Sequence, residues 1–248
     1  MTRTLRFAFA APLALAIAAC NSGTEEAGAD LSGDVVETVA APEGTNWSEQ
    51  VAVSDADGYV LGNPDAPIKL IEYASLTCPA CKAFAATGME PLISEYVDSG
   101  RVSFELRNQI HGPHDLVLAT LVRCGADEAY HPLSDQVWAN LESLVTPIIQ
   151  NQTAVEQALG QPPEQRFISI AQIGGYFDFF AQRGISEDQA RSCLADVDTI
   201  EGIARNSTEQ SNELGISGTP TFLINGRQVE GVNSWESLEP ALQDAGAR

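Results

Sequence analysis

The succession of hydrophobic patterns predicts an α/β fold: a mixed sheet with a large helical insertion, about residues 113–214, between the third strand and the strand after Pro220. Three observations lead there. An apolar run, Ile68–Tyr73, precedes a helical pattern and then the alternating segment Arg101–Arg107, the order of a parallel strand pair joined by a crossover. From about His114 to Leu214 the patterns are mostly helical. Strand character then returns at Thr221–Ile224, and Asn225-Gly226 is a two-residue hairpin signal before Gln228–Glu230.

Each element has a local reason. Val51, Val53 and Tyr59–Leu61 read as short strands, and Gly62–Pro67 is turn chemistry leading into the buried strand Ile68–Tyr73. Lys82–Tyr96 carries a helical pattern through Phe84, Leu92, Ile93 and Tyr96; Pro91 is expected to kink it and Gly100 to end it. In the insertion the candidate helices are His114–Cys124, Asp135–Leu144, Pro163–Gly174, Tyr176–Arg183, Glu187–Ala195 and Thr199–Leu214, punctuated by Gly125, Pro132, Pro147, Gly160 and Gly184. Ser186 reads as an N-cap with a box partner at Gln189. Tyr176, Phe177, Phe179 and Phe180 read as insertion core, and Ser234 caps a closing helix, Trp235–Asp244.

The chain has 248 residues, 44% hydrophobic, with 34 acidic against 13 basic residues and a formal charge of −21. That balance argues against a nucleic-acid partner, which needs a basic face. At the start, Arg3 and Arg6 precede an apolar run too short to span a bilayer, so residues 1–19 read as a secretory signal. The run ends in Ile17-Ala18-Ala19-Cys20, which resembles the bacterial lipobox and implies cleavage before Cys20 and its acylation. An ordinary signal peptide cut nearby is the alternative. Residues 20–46, rich in Gly, Ala, Glu, Asp, Ser and Thr, read as an acidic flexible tether, with the folded domain at 47–248.

The chemistry concentrates in Cys78-Pro79-Ala80-Cys81, at a strand-to-helix junction. That spacing lets two sulfurs meet within one helical turn, and the free N–H groups of the turn stabilise a thiolate on the first. Alone, the same spacing also fits half a zinc site. Gly62–Pro67, Glu72, the cysteine pair, Gly218-Thr219-Pro220-Thr221-Phe222 and Ile224-Asn225-Gly226 together resemble the DsbA-like family of thioredoxin-fold thiol:disulfide oxidoreductases. The resemblance runs from about residue 47 onward and includes the insertion.

That resemblance implies Cys78 as nucleophile and Cys81 as the shielded resolving thiol. It implies Glu72 as a buried acid beneath them, with a strand-end glutamate facing water as the alternative. It implies a cis bond at Pro220 and a Thr219 backbone free to pair with substrate peptide. It also implies a structural disulfide between Cys124 and Cys193, two separate buried thiols being the alternative. His111 and His114 read either as substrate-side or pKa-tuning groups or as solvated loop histidines.

The expected activity is extracytoplasmic disulfide exchange with cysteine-containing proteins, by a lipid-anchored monomer that needs no metal or organic cofactor and is recharged by a membrane or thiol partner. The outer membrane is favoured, since Asn21 is not a retention aspartate. The oxidase direction is favoured by the insertion. Reductase or isomerase stays open because Thr219 and the histidine-free Pro79-Ala80 look less oxidising. A thioredoxin-fold chaperone or metal-binding lipoprotein is the reading from another class.

Overall fold

The apolar run at 68–73 becomes the central strand of a six-stranded sheet. A computed structural model describes residues 31–248, and among them the strand order is β1-β2-β4-β3-β5-β6. The strands are β1 (Val51–Val53), β2 (Tyr59–Leu61), β3 (Ile68–Ala74), β4 (Val102–Asn108), β5 (Thr221–Ile224) and β6 (Arg227–Gln228). β3 pairs in parallel with β4 and antiparallel with β5, so it carries no free edge.

Alternation along β3 divides its side chains between two environments. Ile68, Leu70 and Ala74 enter the main core, whereas Tyr73 packs with Ile216 and Leu223 in a smaller cluster. Glu72 has the parity of Leu70 and Ala74, so the pleat itself drives a carboxylate toward the main core. The helix α1 (Pro79–Pro91) covers that core, with Phe84 set edge-to-face on Phe222 at 4.8 Å between centroids. This pair fixes α1, and with it the cysteines at its start, against the strand that follows Pro220.

Pro91 does not simply kink the helix. α1 passes at Pro91 into a π-helical turn, Leu92–Val97, and Asp98 N–H reaches Ile93 O at 2.9 Å. The wider turn absorbs the missing proline donor. The helix also starts at Pro79, earlier than the sequence pattern suggested, because proline is suited to a first helical position and Cys78 is its N-cap.

The insertion holds α2 (Pro113–Val122), α3 (Tyr130–Ala139), α4 (Leu141–Gln150), α5 (Gln152–Leu159), α6 (Pro163–Gly174), α7 (Tyr176–Ala181), α8 (Glu187–Ala195) and α9 (Val197–Leu214). Counted in the sheet it follows the fourth strand, β4. Two helices stand where one was expected at 135–144, and α5 was not expected at all; Pro147 lies inside α4 instead of ending it. Tyr176, Phe177 and Phe180 are buried core. Ser186 caps α8 by accepting from Gln189 N–H at 3.2 Å, but the Gln189 side chain donates to Cys124 O at 2.6 Å and closes no box. The chain ends with α10 (Trp235–Asp244).

The flexible-tether expectation is corrected over residues 31–46. Gly33 N–H donates to Asp244 O, Val36 N–H to Gly246 O and Val39 N–H to Ser99 O, each at 2.8–2.9 Å, while Trp47 Nε1–H reaches Val39 O at 2.7 Å. Leu31 and Val36 pack on the core. Backbone pairing of this kind needs no apolar period, only close approach. Gly246 permits it, since a Cβ there would collide with Asp34 O and its φ is +112°. The expected signal at 1–19, Cys20 and the rest of the tether to residue 30 lie outside the described residues.

Candidate active site

The loop Ser75–Cys78 carries the chain from β3 into α1. Its residues have little regular pairing of their own, and a single buried carboxylate organises them. Asp115, in the first turn of α2, accepts from Leu76 N–H at 3.0 Å, Ser75 Oγ at 2.7 Å and His111 N–H at 2.8 Å. From the other side Trp138 Nε1–H donates to Ser75 O at 3.0 Å. Burial raises the Asp115 carboxyl to about 6 despite these donors. Sequence reading missed Asp115. An acidic residue in a helix's first turn was visible after Gly112-Pro113, but nothing local told that it reaches back to the cysteine loop.

Cys78 and Cys81 are both free thiols and both buried, Cys78 at 8% exposure and Cys81 at 0%. As N-cap, Cys78 Sγ accepts from Cys81 N–H at 3.5 Å. The Thr219 carbonyl lies 3.4 Å from Cys78 Sγ, which donates to it as a thiol, and the Thr219–Pro220 peptide bond is cis. The structure thus brings Cys78, Cys81, Thr219 and Pro220 to one place.

The two thiols are driven apart electrostatically. Cys78 is held at about 5, chiefly by the Cys81 thiol that donates to its thiolate, then by the Thr219 side chain and the N–H groups of Cys81 and Ala80, against a burial cost. Cys81 is pushed far upward by that same hydrogen bond and by burial. One proton therefore stays on Cys81 while Cys78 carries the charge.

Glu72 is fully buried, not facing water, and neither carboxylate oxygen has a hydrogen-bond partner in the protein. Burial, then the charges of Asp135 and Cys78, raises its pKa well above the ordinary carboxylate range. Such a group is protonated in the fold at pH values where the unfolded chain has lost the proton. Stability then declines as pH rises from the unfolded value toward the folded one, by about 1.4 kcal/mol per pH unit. Glu72→Gln should flatten this decline. Urea unfolding of the oxidised protein at several pH values checks it, and parallel curves for the two proteins would show Glu72 ionised throughout.

The histidines separate. His111 Nε2 lies 3.4 Å from Thr219 Oγ1, at the exposed mouth of the site. Burial lowers the His114 imidazole. Cys124 and Cys193 are joined as a disulfide with Cα atoms 6.0 Å apart, tying the end of α2 to α8. Cys124 lies nine residues from Asp115, in the turn that follows α2, so most of that helix stands between the bridge and the cysteine loop. Among the described residues no group of three or more His, Cys, Asp or Glu is placed to hold a metal.

A thioredoxin family model matches residues 54–244. The chain belongs to the thioredoxin family. Within that family the solved structure of a protein-disulfide isomerase from Novosphingobium aromaticivorans aligns with a TM-score of 0.70 at 28% identity, covering 74% of this chain and 94% of that one. Wolbachia pipientis alpha-DsbA1 shares the thioredoxin fold with TM-score 0.60 at 23% identity, over 77% and 91% of the two chains. A Rickettsia bellii protein, whose name places it provisionally among protein-disulfide oxidoreductases, is 27% identical over 191 residues, 77% of this chain. The chain spans 65% of that relative's length.

Proposed function

We propose that this chain is an extracytoplasmic thiol:disulfide oxidoreductase acting on cysteine-containing proteins, in the oxidase direction. The observation that carries the reading is the unequal thiol pair: a charged Cys78 at a helix start beside a buried, protonated Cys81, with the Thr219 carbonyl at the sulfur. A substrate thiolate attacks Cys78 Sγ of the oxidised pair, the Cys78–Cys81 bond breaks, and Cys81 leaves. Glu72, protonated through its burial, supplies the proton to Cys81. A second substrate thiolate then displaces Cys78, which departs as a stable thiolate, so two electrons pass to the enzyme and the substrate gains its disulfide. A membrane or thiol partner takes those electrons back. The cysteine pair itself is the redox group, and no metal or organic cofactor enters.

Direction follows from the leaving thiolate. Stabilising Cys78 in the reduced form makes the disulfide easier to reduce, hence the enzyme a better oxidant. Reductase or isomerase work is the second reading, favoured by Thr219 and by the isomerase named in the structural comparison. A lipid anchor at Cys20 would hold the protein, as a monomer, at the outer membrane, and the Cys124–Cys193 disulfide suits an oxidising compartment. Among the described residues no helix is long and apolar enough to cross a membrane.

Trapping tests the reading. Cys81→Ser should accumulate mixed disulfides through Cys78 that run as higher bands on non-reducing gels and vanish with dithiothreitol. A variant that traps no protein while the wild type binds metal stoichiometrically would favour the carrier reading. The reduction potential of the pair then separates oxidase from reductase.

A further inference from the structure

Glu72 has to regain a proton each time it gives one to Cys81, yet the sheet around it offers no way in. Neither of its carboxylate oxygens has a hydrogen-bond partner in the protein, and the residues opposite it on β4 and β5 are the buried, apolar Leu106 and Phe222. The supply matters because the raised pKa of Cys81 makes it a poor leaving group unless it is protonated as it departs.

The remaining approach is from α3. His131, Asp135 and Trp138 follow one another at spacings of four and three, which sets them along one face of that helix. His131 lies by Phe104 with ring centroids 5.5 Å apart, and Phe104 is the register partner of Leu70. Trp138 Nε1–H reaches Ser75 O at 3.0 Å. Asp135 stands between these two anchors on the helix, as Glu72 stands between Leu70 and Ser75 in the chain they hold, on the same side of the sheet as Leu70. Asp135 is half-buried, and it lines a cleft of about 430 Å³ between α1 and α3 together with Lys82, Ala85, Met89, Trp138 and Ala139. Of the charges acting on Glu72, that of Asp135 comes ahead of that of Cys78.

We infer that Asp135 is the proton-exchange station between solvent in the α1–α3 cleft and Glu72, and through Glu72 serves Cys81. The inference rests on the reading of Glu72 as proton donor to Cys81. As the Cys78–Cys81 bond breaks, its electron pair goes to Cys81 Sγ and the Glu72 proton follows. The Asp135 carboxyl passes a proton to the Glu72 carboxylate through water bound by both groups, and recovers one from water or a buffer acid in the cleft. One proton enters for each Cys81 released, and the path runs backwards when the pair is recharged. Burial lifts the Asp135 carboxyl to about 6, so near neutral pH it both accepts and gives up a proton readily. The other charged groups of the cleft are less suited: Lys82 of α1 is paired with Glu142 of α4 at 2.5 Å, and Glu90 of α1 is exposed. Asp135 acts through Glu72, which makes it a positioning residue for the proton.

Single-turnover reduction of the oxidised protein by dithiothreitol, followed by tryptophan fluorescence at constant dithiothreitol thiolate, reads this step. Glu72→Gln and Asp135→Asn should each slow it about tenfold or more. The double variant should be no slower than Glu72→Gln alone, since both residues lie on one path. Formate, small enough to enter the cleft, should restore the Asp135→Asn rate in proportion to its concentration and leave Glu72→Gln unmoved. Asp135→Glu, which keeps the carboxyl on the same face, should retain most of the wild-type rate. The relay would be overturned, with the Glu72 reading intact, by a wild-type rate in Asp135→Asn beside a slow Glu72→Gln, by a slowing that formate does not relieve, by losses that multiply in the double variant, or by an Asp135→Glu as slow as Asp135→Asn. A Glu72→Gln protein as fast as the wild type would overturn the Glu72 reading along with it.

Discussion

Cys78→Ser is expected to abolish disulfide exchange, lowering the rate at least about a thousandfold against any thiol substrate. The loss is that large because the sulfur that a substrate thiolate attacks and the sulfur that later leaves are the same atom. A serine hydroxyl neither attacks a disulfide sulfur at neutral pH nor forms a bond that a second thiolate can displace. The wild-type protein should show the cause directly. With Cys78 held at about 5, thiolate absorbance at 240 nm should rise with a midpoint near that pH, and alkylation by iodoacetamide should reach its plateau above it. Cys81→Ser should keep alkylation of Cys78 but lose turnover, since Cys78 then has no partner thiol with which to form the disulfide that substrate attacks. Lowering of the Cys78 value depends first on the Cys81 thiol, so the same variant should move the absorbance midpoint upward. A midpoint near that of a free cysteine, about 8.5, would remove the physical basis for the oxidase direction.

The second large effect is on stability. Replacing Cys124 and Cys193 together with alanine should cost about 4 kcal/mol, because the bridge closes a loop with a sequence separation of 69 and the unfolded chain regains that freedom. For a domain of this size that corresponds to a melting temperature lower by roughly 10 °C. The bridge joins α2 to α8, and Asp115 at the opposite end of α2 organises the cysteine loop. Thermal unfolding monitored by circular dichroism reads the stability, and the 240 nm titration of Cys78 reads the site. The expected pattern is a lower melting temperature with an unchanged Cys78 midpoint. An unchanged melting temperature would mean that the bridge is not formed in solution.

Much of this site was legible because its signals are short-range. The cysteine pair, the proline after Thr219 and the Asn225-Gly226 turn each declare themselves within a few residues. α6, α8, β5 and α10 came out with the boundaries their patterns suggested, since strong punctuation by Pro163, Ser186 and Ser234 stands at their starts. α3 and α4 were blurred into one because Asn140 interrupts the helix without any proline or glycine. The folding back of residues 31–46 was invisible for a different reason: it is made by main-chain groups meeting Asp244, Gly246 and Ser99, which leave no side-chain period to read.

By itself the sequence pointed to the chemistry, because two thiols three positions apart at a strand-to-helix junction are accompanied by Glu72 and by Thr219-Pro220, and together these resemble a redox site more than half a zinc site. It also pointed to a parallel strand pair joined by a helix and to a later antiparallel hairpin, which stand in the sheet as β3–β4 and β5–β6. Tertiary structure alone decided how the two thiols differ. The charge on Cys78 depends on Cys81 and on Thr219, brought from the far side of the insertion, and the proton near Cys81 depends on a Glu72 that the pleat of β3 turns inward. Asp115 holds the loop across forty positions of chain. Burial and long-range contact set these quantities, and neither is a property of any single stretch of residues.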